Sequence, residues 1–144
     1  MRQQSTVFQI RTRGKGLYEF TAEVAGFVRE SGIREGLLTL YCRHTSASLT
    51  VQENADPAVM RDLAEYYERL APENEPWYTH RQEGPDDMPA HIRSSLTGVS
   101  LSIPVLDGRP VLGTWQGVFL FEHRSQPHSR QVVAHVLGEG QPSC

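Results

Sequence analysis

The sequence predicts an α+β fold in one domain, with a largely antiparallel β-sheet core and about three helices. Its 144 residues fit a single domain, residues 1–144, that is large enough for its own hydrophobic core. Apolar residues recur at helical spacing in some segments and alternate, as in strands, in others. The dipeptide Asp107-Gly108 lies between two apolar runs and indicates a hairpin of antiparallel strands.

The first half of the chain predicts the order strand, helix, strand, strand, helix. The first four of these elements are expected at Ser5–Arg13, Thr21–Ser31, Glu35–Arg43 and Ser46–Gln52. Thr21 is the expected N-cap of the first helix, and Gly32 its left-handed stop. Asp56 and Pro57 begin the second helix, because Asp caps free N–H groups and Pro needs none at the first position. Pro72 ends it.

The second half predicts a long charged loop at Asn74–Met88, a short helix at Pro89–Leu96 ended by Gly98, and three strands. These strands are expected at Ser100–Leu106, Arg109–Glu122 and Gln131–Leu137. Within the second of them, Leu112–Phe121 is apolar on both faces, which a half-exposed antiparallel strand would not be. Either helices cover its second face or another subunit does.

Composition excludes several classes of protein. With 14 Lys and Arg against 17 Asp and Glu, the net charge is −3, which lacks the basic footprint of a non-specific nucleic-acid binder. No apolar run approaches the roughly 18–20 residues of a membrane span. The N-terminus is polar from the start and lacks the apolar core of a signal peptide, so we expect a cytoplasmic protein with reduced cysteines.

Three histidines in polar stretches are candidate metal ligands: His44, His80 and His91. Neutral imidazole is the commonest metal ligand, and three imidazoles with one open position would suit a catalytic zinc ion. Their spacing matches no local metal motif, so three ordinary histidines remain the alternative. Ligating histidines need carboxylate acceptors behind them, and the nearby candidates are Glu53, Asp86, Asp87 and Glu122.

Other polar residues allow further chemistry. Ser46 and Ser48 could in principle join a Ser–His–carboxylate triad, but no G-x-S-x-G turn is present and simple hydrogen bonding is favoured. Hydroxyls and one guanidinium could hold phosphate, although no Walker loop is present; these residues are Thr45, Ser46, Ser94, Ser95, Thr97 and Arg124. Gln116 lies on a predicted buried strand, where its amide must find partners or point into a site.

Three long segments of the sequence resemble the YjbQ-like family. His44–Pro57 (HTSASLTVQENADP) is similar to that family's H-T-S/T-A-x-L-T-I-x-E-N-x-D-P segment. Glu83–Gly98 (EGPDDMPAHIRSSLTG) resembles its central signature. Gly113–Gln116 (GTWQ), followed by Glu122–Arg124 (EHR), resembles its C-terminal signature. The resemblance spans nearly the whole chain and leaves residues 138–144 as a variable C-terminal tail.

The resemblance implies small α+β proteins that associate as homotrimers and are often named secondary thiamine-phosphate synthase enzymes. That name implies the joining of a pyrimidine diphosphate to a thiazole phosphate with release of pyrophosphate. The resemblance also implies a metal site in a cleft, which His44, His80 and His91 would form in this chain. Three histidines favour zinc over magnesium, which normally assists pyrophosphate departure, so hydrolase or lyase chemistry fits the site at least as well.

Two functional hypotheses follow. In the first, the chain is a metal-dependent enzyme for a small phosphorylated or anionic substrate, with thiamine phosphate synthesis as a side activity. Glu122 would accept a proton and Arg124 would hold the anion, while substrate contacts are expected from Thr45, Ser46 and Gln116. In the second, the chain is a non-catalytic trimer that binds a metal or metabolite. An open coordination position would favour the enzyme.

Overall fold

The computed structural model describes residues 1–140, which form eight strands and three helices. In chain order they are β1 Arg2–Thr12, β2 Gly16–Glu19, α1 Thr21–Ser31, β3 Ile33–Cys42, β4 Ala47–Glu53, α2 Pro57–Leu70, α3 Asp87–Thr97, β5 Ser100–Leu106, β6 Arg109–Pro110, β7 Gln116–Glu122 and β8 His128–Gly140. This confirms the predicted α+β class with three helices.

The strands form two antiparallel sheets. One has five strands in the order β1-β8-β3-β5-β6, and the other has three in the order β2-β7-β4. Inward-facing side chains of both sheets form one core, which includes Leu38 and Leu40 of β3 and Val118 and Leu120 of β7. Helix α1 adds its apolar face to the same core. Buried and more exposed residues alternate along β8 because only one face of this strand meets the core.

The predicted strand Arg109–Glu122 is two strands in different sheets. Asp107 and Gly108 form the expected turn, but β6 ends at Pro110 after pairing with β5. Proline cannot donate to a ladder, and the chain then crosses to the second sheet, where it becomes β7. The prediction that Gln116 is buried is therefore wrong. It is exposed, and its Oε1 accepts a hydrogen bond from the Gly113 amide at 2.7 Å.

Both faces of β7 are covered within the chain itself. Val118 and Leu120 face the core, while Phe119 and Phe121 point the other way and are 4% and 5% exposed. The ring of Tyr67, on α2, packs edge-on against Phe121 with ring centres 5.2 Å apart. Within β7, cover inside the chain therefore accounts for both apolar faces. The earlier part of the predicted apolar run differs, because Trp115 is 63% exposed.

Helix boundaries differ from prediction where local hydrogen bonds decide them. Thr21 is not the N-cap of α1, because its hydroxyl accepts from the Val118 amide at 2.9 Å and donates to Glu19. Asp56 caps α2 as predicted, accepting from the Ala58 amide at 2.9 Å. Helix α3 begins at Asp87, two residues before the predicted start, which places this carboxylate on the helix.

The end of the chain lies partly outside the described residues. β8 continues to Gly140, beyond the predicted end at Leu137, so the variable tail 138–144 begins inside a strand. Cys144 lies outside the described residues, and Cys42 is a buried free thiol. Within residues 1–140, every helix is too short or too polar to span a bilayer.

Candidate metal centre

Three side chains that could together hold a metal ion meet where α3 begins. Asp87 and His91 are four residues apart on this helix, so they share one face. His80 reaches them from the preceding loop. The Asp87 Oδ2 atom lies 2.6 Å from His80 Nε2 and 3.1 Å from His91 Nε2. One donor atom from each residue lies within 4.8 Å of the other two, which is close enough for a single ion to be shared after small adjustments.

The tautomer of His91 gives this cluster its chemical character. His91 Nδ1 lies 3.0 Å from the Thr45 carbonyl oxygen. A carbonyl only accepts, so we assign the proton of the neutral ring to Nδ1. The lone pair on Nε2 then points at a carboxylate oxygen. A proton or a cation must lie between them to make this contact favourable, and a backbone carbonyl behind Nδ1 is the usual support of a metal-bound histidine.

Arg124 positions the carboxylate. Its Nη1 donates to Asp87 Oδ1 at 2.7 Å, its Nε donates to Asp86 Oδ2 at 2.9 Å, and its Nη2 donates to the Glu83 carbonyl at 2.9 Å. Burial alone would raise the pKa of Asp87, but the hydrogen bond from His80 and the charge of Arg124 outweigh it and lower the pKa. Asp87 is therefore an ionised carboxylate with Oδ1 bonded to Arg124 and Oδ2 facing the two histidines.

This geometry corrects the role predicted for Arg124. The residue lies beyond the end of β7 and its side chain is only 15% exposed. All three guanidinium nitrogens already donate to protein oxygens. Arg124 therefore orients Asp87, with Asp86 as the second carboxylate of the same pair, and is not a free receptor for a substrate anion.

His44 does not join the cluster within one chain. Its Nε2 accepts a hydrogen bond from the Gln131 amide at 2.8 Å. Burial, followed by the charge of Arg130, lowers the pKa of His44, so the ring is neutral. The predicted set of three histidines is thus corrected to His80, Asp87 and His91. The sequence did carry a signal for this set, since Asp and His four residues apart share a helix face.

A cavity of about 760 Å³ lies beside the cluster and shares His91 with it. Its lining within the described residues contains a guanidinium, two imidazoles and several hydroxyls but no carboxylate. These residues are Tyr41, Cys42, Arg43, His44, Thr45, His91, Ser94, Ser95, Gly98 and Val99. Its size is in the range of small-molecule sites, and the guanidinium and hydroxyl donors in its lining favour an anionic ligand. Thr45, a predicted substrate contact, is part of this lining.

A smaller cavity of about 270 Å³ lies on the other side of the cluster and shares His80 with it. Its lining comes from the loop before α3 and includes Glu75, Tyr78 and Arg81. The two histidines of the cluster therefore face different cavities. The long charged loop predicted at Asn74–Met88 therefore forms one wall beside the cluster.

Glu122 is not the predicted general base. It is fully buried, and its carboxylate accepts from Arg130 Nε at 2.8 Å and from Thr12 Oγ1 at 2.6 Å. Burial opposes its ionisation, but these hydrogen bonds and the charge of Arg130 outweigh it and lower the pKa of Glu122. Ser46, another predicted substrate contact, accepts from Arg130 Nη2 at 2.9 Å. Both residues stabilise the fold behind the centre.

Glu53 and Gln116 lie far from the cluster within one chain. They pair with each other at one end of the β4–β7 ladder, whereas Ala47 pairs with Glu122 at the other end. Six residues of strand separate the two ends by about 20 Å. Thr45, which touches His91, precedes Ala47, so the cluster lies at the second end. Glu53 therefore does not support the ligands of its own chain.

Sequence reasoning missed a buried polar network behind α3. Ser48 Oγ lies 2.9 Å from His123 Nε2 and also contacts the hydroxyl of Thr97, near the end of α3. Burial, followed by the charge of Arg93, lowers the pKa of His123 to about 3. Its Nδ1 has no partner in the described part of the chain, so no carboxylate orients it. Ser48 is fully buried, and the network is structural rather than a catalytic triad.

Comparison with known proteins identifies the family. Residues 6–139 match the family model described as UPF0047 protein YjbQ-like. The chain is 54% identical over 138 residues to the UPF0047 protein sll1880 of Synechocystis, covering 96% of this chain and 94% of the relative. It is 43% identical over 131 residues to the UPF0047 protein YjbQ of Escherichia coli O157:H7, covering 90% and 94% of the two chains.

Solved structures of similar proteins have the same fold. A YjbQ/UPF0047 family protein of Clostridium acetobutylicum superposes with a TM-score of 0.85 at 34% identity, over 92% of this chain and 99% of its own. A hypothetical protein of Aeropyrum pernix gives a TM-score of 0.85 at 31% identity, over 94% and 99%. The chain therefore belongs to the YjbQ-like UPF0047 family.

Proposed function

We propose that this chain is a metal-dependent enzyme that binds a divalent cation, zinc or a similar ion, through His80, Asp87 and His91, and acts on a small anionic substrate. The observation that carries the proposal is the contact between Asp87 Oδ2 and His91 Nε2. The Thr45 carbonyl fixes the proton of His91 on the opposite nitrogen. With that proton on Nδ1, His91 Nε2 presents a lone pair to the ionised Asp87 oxygen, and a bound cation would bridge the two.

The donor set fits zinc. Two histidines and one carboxylate are a known set of protein ligands at catalytic zinc sites, with the fourth position left for water or substrate. The metal would supply Lewis acidity and an acidified water ligand. Magnesium fits less well, because it prefers oxygen donors and octahedral geometry.

The residues around the centre have separate tasks. Arg124 fixes the orientation of Asp87. Ser94 donates to the Thr45 carbonyl at 2.8 Å and so helps to position the acceptor of His91. Arg43 and His44 line the larger cavity without a carboxylate beside them, and a phosphate or carboxylate of the substrate would supply the missing negative charge.

Thiamine phosphate synthesis is one reaction in this class, and the family resemblance suggests it as a side activity. It requires an anionic two-component substrate and departure of pyrophosphate. The Arg43 guanidinium in the cavity beside the cluster supports binding of such anions. Incubating the zinc-loaded protein with the pyrimidine diphosphate and the thiazole phosphate, and measuring pyrophosphate release, tests this activity directly.

The second candidate, a non-catalytic metal-binding protein, differs in its coordination sphere. Three ligands in one chain leave a position open, which supports the enzyme. Water-proton relaxation in the Co²⁺-loaded protein distinguishes the two: rapidly exchanging bound water is expected of an enzyme. A closed sphere without exchangeable water, together with no turnover of phosphorylated substrates, would favour the binding protein and contradict our proposal.

We also propose that the chain forms homotrimers. The outer face of the five-stranded sheet supports association, because four large apolar side chains on it are 38% to 51% exposed: Val7, Leu37, Tyr41 and Leu137. Sedimentation equilibrium at micromolar concentration should give three times the chain mass of 16.2 kDa. A monomer mass under these conditions would contradict the proposal.

The metal assignment is tested by metal content. Protein purified without chelators should carry zinc, and His91→Ala should lose it. His128→Ala is the matched control, because it removes a half-exposed histidine outside the cluster, whose Nδ1 lies 2.8 Å from the Gln126 carbonyl and 4.0 Å from Glu122. Equal metal content in His91→Ala and in the control would exclude this centre.

A further inference from the structure

We propose that a second copy of this chain completes the metal centre, by placing its Trp115 end over the cavity beside His91. The Trp115 end is defined as Glu53, Asn54, Trp115 and Gln116. This inference rests on the proposed function, since it concerns the same site. The inference adds residues from a neighbouring subunit to the site. Failure of this inference and failure of the proposed function give different results in the experiment below.

The Trp115 end cannot reach the cluster of its own chain. Glu53 pairs with Gln116 at one end of the β4–β7 ladder, and Ala47 pairs with Glu122 at the other. Six residues of strand span about 20 Å. Arg124, which holds Asp87, follows directly after the second end. Any contact between the Trp115 end and a metal centre must therefore join two chains.

The Trp115 end is ordered but has exposed side chains. The Asn54 amide donates to the Trp115 carbonyl at 3.0 Å, and Gln116 Oε1 closes the turn on the Gly113 amide at 2.7 Å. Yet the Trp115 side chain is 63% exposed. A large indole held out on a fixed turn is typical of an interface anchor, because Trp contributes most where it enters a pocket on the partner.

The charges of the Trp115 end are complementary to those of the cavity beside His91. The Trp115 end carries Glu53, with Glu19 and Asp56 close in the structure, and none of these forms an ion pair within residues 1–140. The cavity presents Arg43 and His44 and has no carboxylate among its described lining residues. Carboxylates beside an aromatic anchor would therefore meet a cavity that contains the Arg43 guanidinium and has room for them.

The predicted geometry of assembly follows from where these surfaces lie. They occupy opposite ends of the three-stranded sheet, so their contact is head-to-tail rather than self-complementary. Head-to-tail contacts close into rings when the rotation permits and do not form two-fold dimers. A head-to-tail contact is therefore compatible with the proposed ring of three subunits. Tyr41 belongs both to the exposed sheet face and to the cavity lining, so the two surfaces form one continuous contact.

The consequence for the site is a carboxylate that the single chain lacks. Glu122 is committed to Arg130 and cannot act there. Glu53 from the neighbouring copy would enter a cavity lined by hydroxyls and imidazoles, where a carboxylate can accept a proton from a bound substrate. The Gln116 side chain, whose Oε1 accepts from the Gly113 amide, would lie beside it.

The experiment uses mixed assemblies and Co²⁺, which quenches indole fluorescence only at short range. The first chain carries Trp77→Phe, His80→Ala and His91→Ala, so it keeps Trp115 and lacks the metal ligands. The second carries Trp77→Phe and Trp115→Phe, so it binds metal and contains no indole. Both are co-expressed with different affinity tags, and assemblies containing both are isolated.

Addition of Co²⁺ should quench Trp115 in the mixed assemblies and not in assemblies of the first chain alone. Zn²⁺, with its filled d shell, should not quench in either case. If the Co²⁺ absorption band appears without quenching, the metal centre survives and the shared site is overturned. If no band appears in the second chain, the metal centre itself is overturned, and this inference with it.

Assembly mass gives an independent measurement. Trp115→Ala removes an exposed side chain, so the chain should still fold. Its assembly should already dissociate at a higher protein concentration than that of wild type. Trp77→Ala is the matched control, since it removes an indole that is 67% exposed, and its assembly should be unchanged. Equal dissociation of wild type and Trp115→Ala would contradict the proposed anchor.

Discussion

The buried imidazole of His123 should make the protein sensitive to mild acid. His123 is fully buried, its Nε2 contacts Ser48, and burial followed by the charge of Arg93 lowers its pKa to about 3. In the unfolded chain the same ring has its ordinary pKa of about 6.5. As the pH falls below 6.5, the unfolded chain gains a proton that the folded chain does not accept. Stability is therefore complete above pH 6.5 and declines as the pH falls toward 3.

The size of the effect follows from the linkage relation. At pH 5, the unfolded ring lies about 1.5 units below its pKa, while the folded ring stays neutral. Each unit corresponds to about 1.4 kcal/mol, so His123 alone should lower the free energy of unfolding by about 2 kcal/mol between pH 7.5 and pH 5. His123→Gln keeps a neutral hydrogen-bonding group near Ser48 and removes this titration.

Urea unfolding followed by circular dichroism measures the effect, at one fixed protein concentration because association adds to stability. Wild type should lose about 2 kcal/mol more than His123→Gln between the two pH values. His135→Gln, which changes a histidine on the outer sheet face, should lose about as much as wild type. An equal loss of unfolding free energy in wild type and His123→Gln would refute the lowered pKa, because the His123 ring would then titrate alike in the folded and unfolded chain.

Three further substitutions test other contacts. Arg124→Gln should weaken zinc binding by about 10- to 100-fold without unfolding the chain, because Asp87 loses the group that orients it; equilibrium dialysis measures this. Arg130→Met should destabilise the protein by about 3–5 kcal/mol, because Glu122 would be left buried and unpaired, and a change below 1 kcal/mol in urea unfolding would contradict the ion pair. Asp56→Ala should cost about 1 kcal/mol through loss of the α2 cap, measured in the same way.

Local patterns predicted much of the fold. The Asp56-Pro57 helix start, the Gly32 stop and the Asp107-Gly108 turn all depend on neighbouring backbone groups, and the structure confirms each of them. The strand at residues 109–122 was wrong because periodicity shows that residues are extended but not which sheet they join. The four-residue strand β2 was missed because it is too short to show a pattern.

The candidate centre was predictable in part. His80 and His91 could be named because imidazoles in polar stretches are plain in the sequence. Asp87 was predicted to support the ligating histidines rather than to be a ligand. The helix was predicted to start at Pro89, so Asp87 and His91 were not expected to share a helix face. Glu122 was misassigned because its partner Arg130 comes from β8. The two residues are eight positions apart and lie in strands of different sheets, so no strand or helix periodicity indicates that they pair.

The central claim is that His80, Asp87 and His91 hold the metal, and Asp87→Asn tests it most directly. The substitution keeps the size and shape of the side chain and removes its charge. We expect about one zinc per chain in wild type by mass spectrometry of metal content, and loss of most of it in Asp87→Asn. His44→Ala should keep its zinc, since His44 Nε2 bonds the Gln131 amide instead. Full zinc in Asp87→Asn together with loss of zinc in His44→Ala would contradict the account.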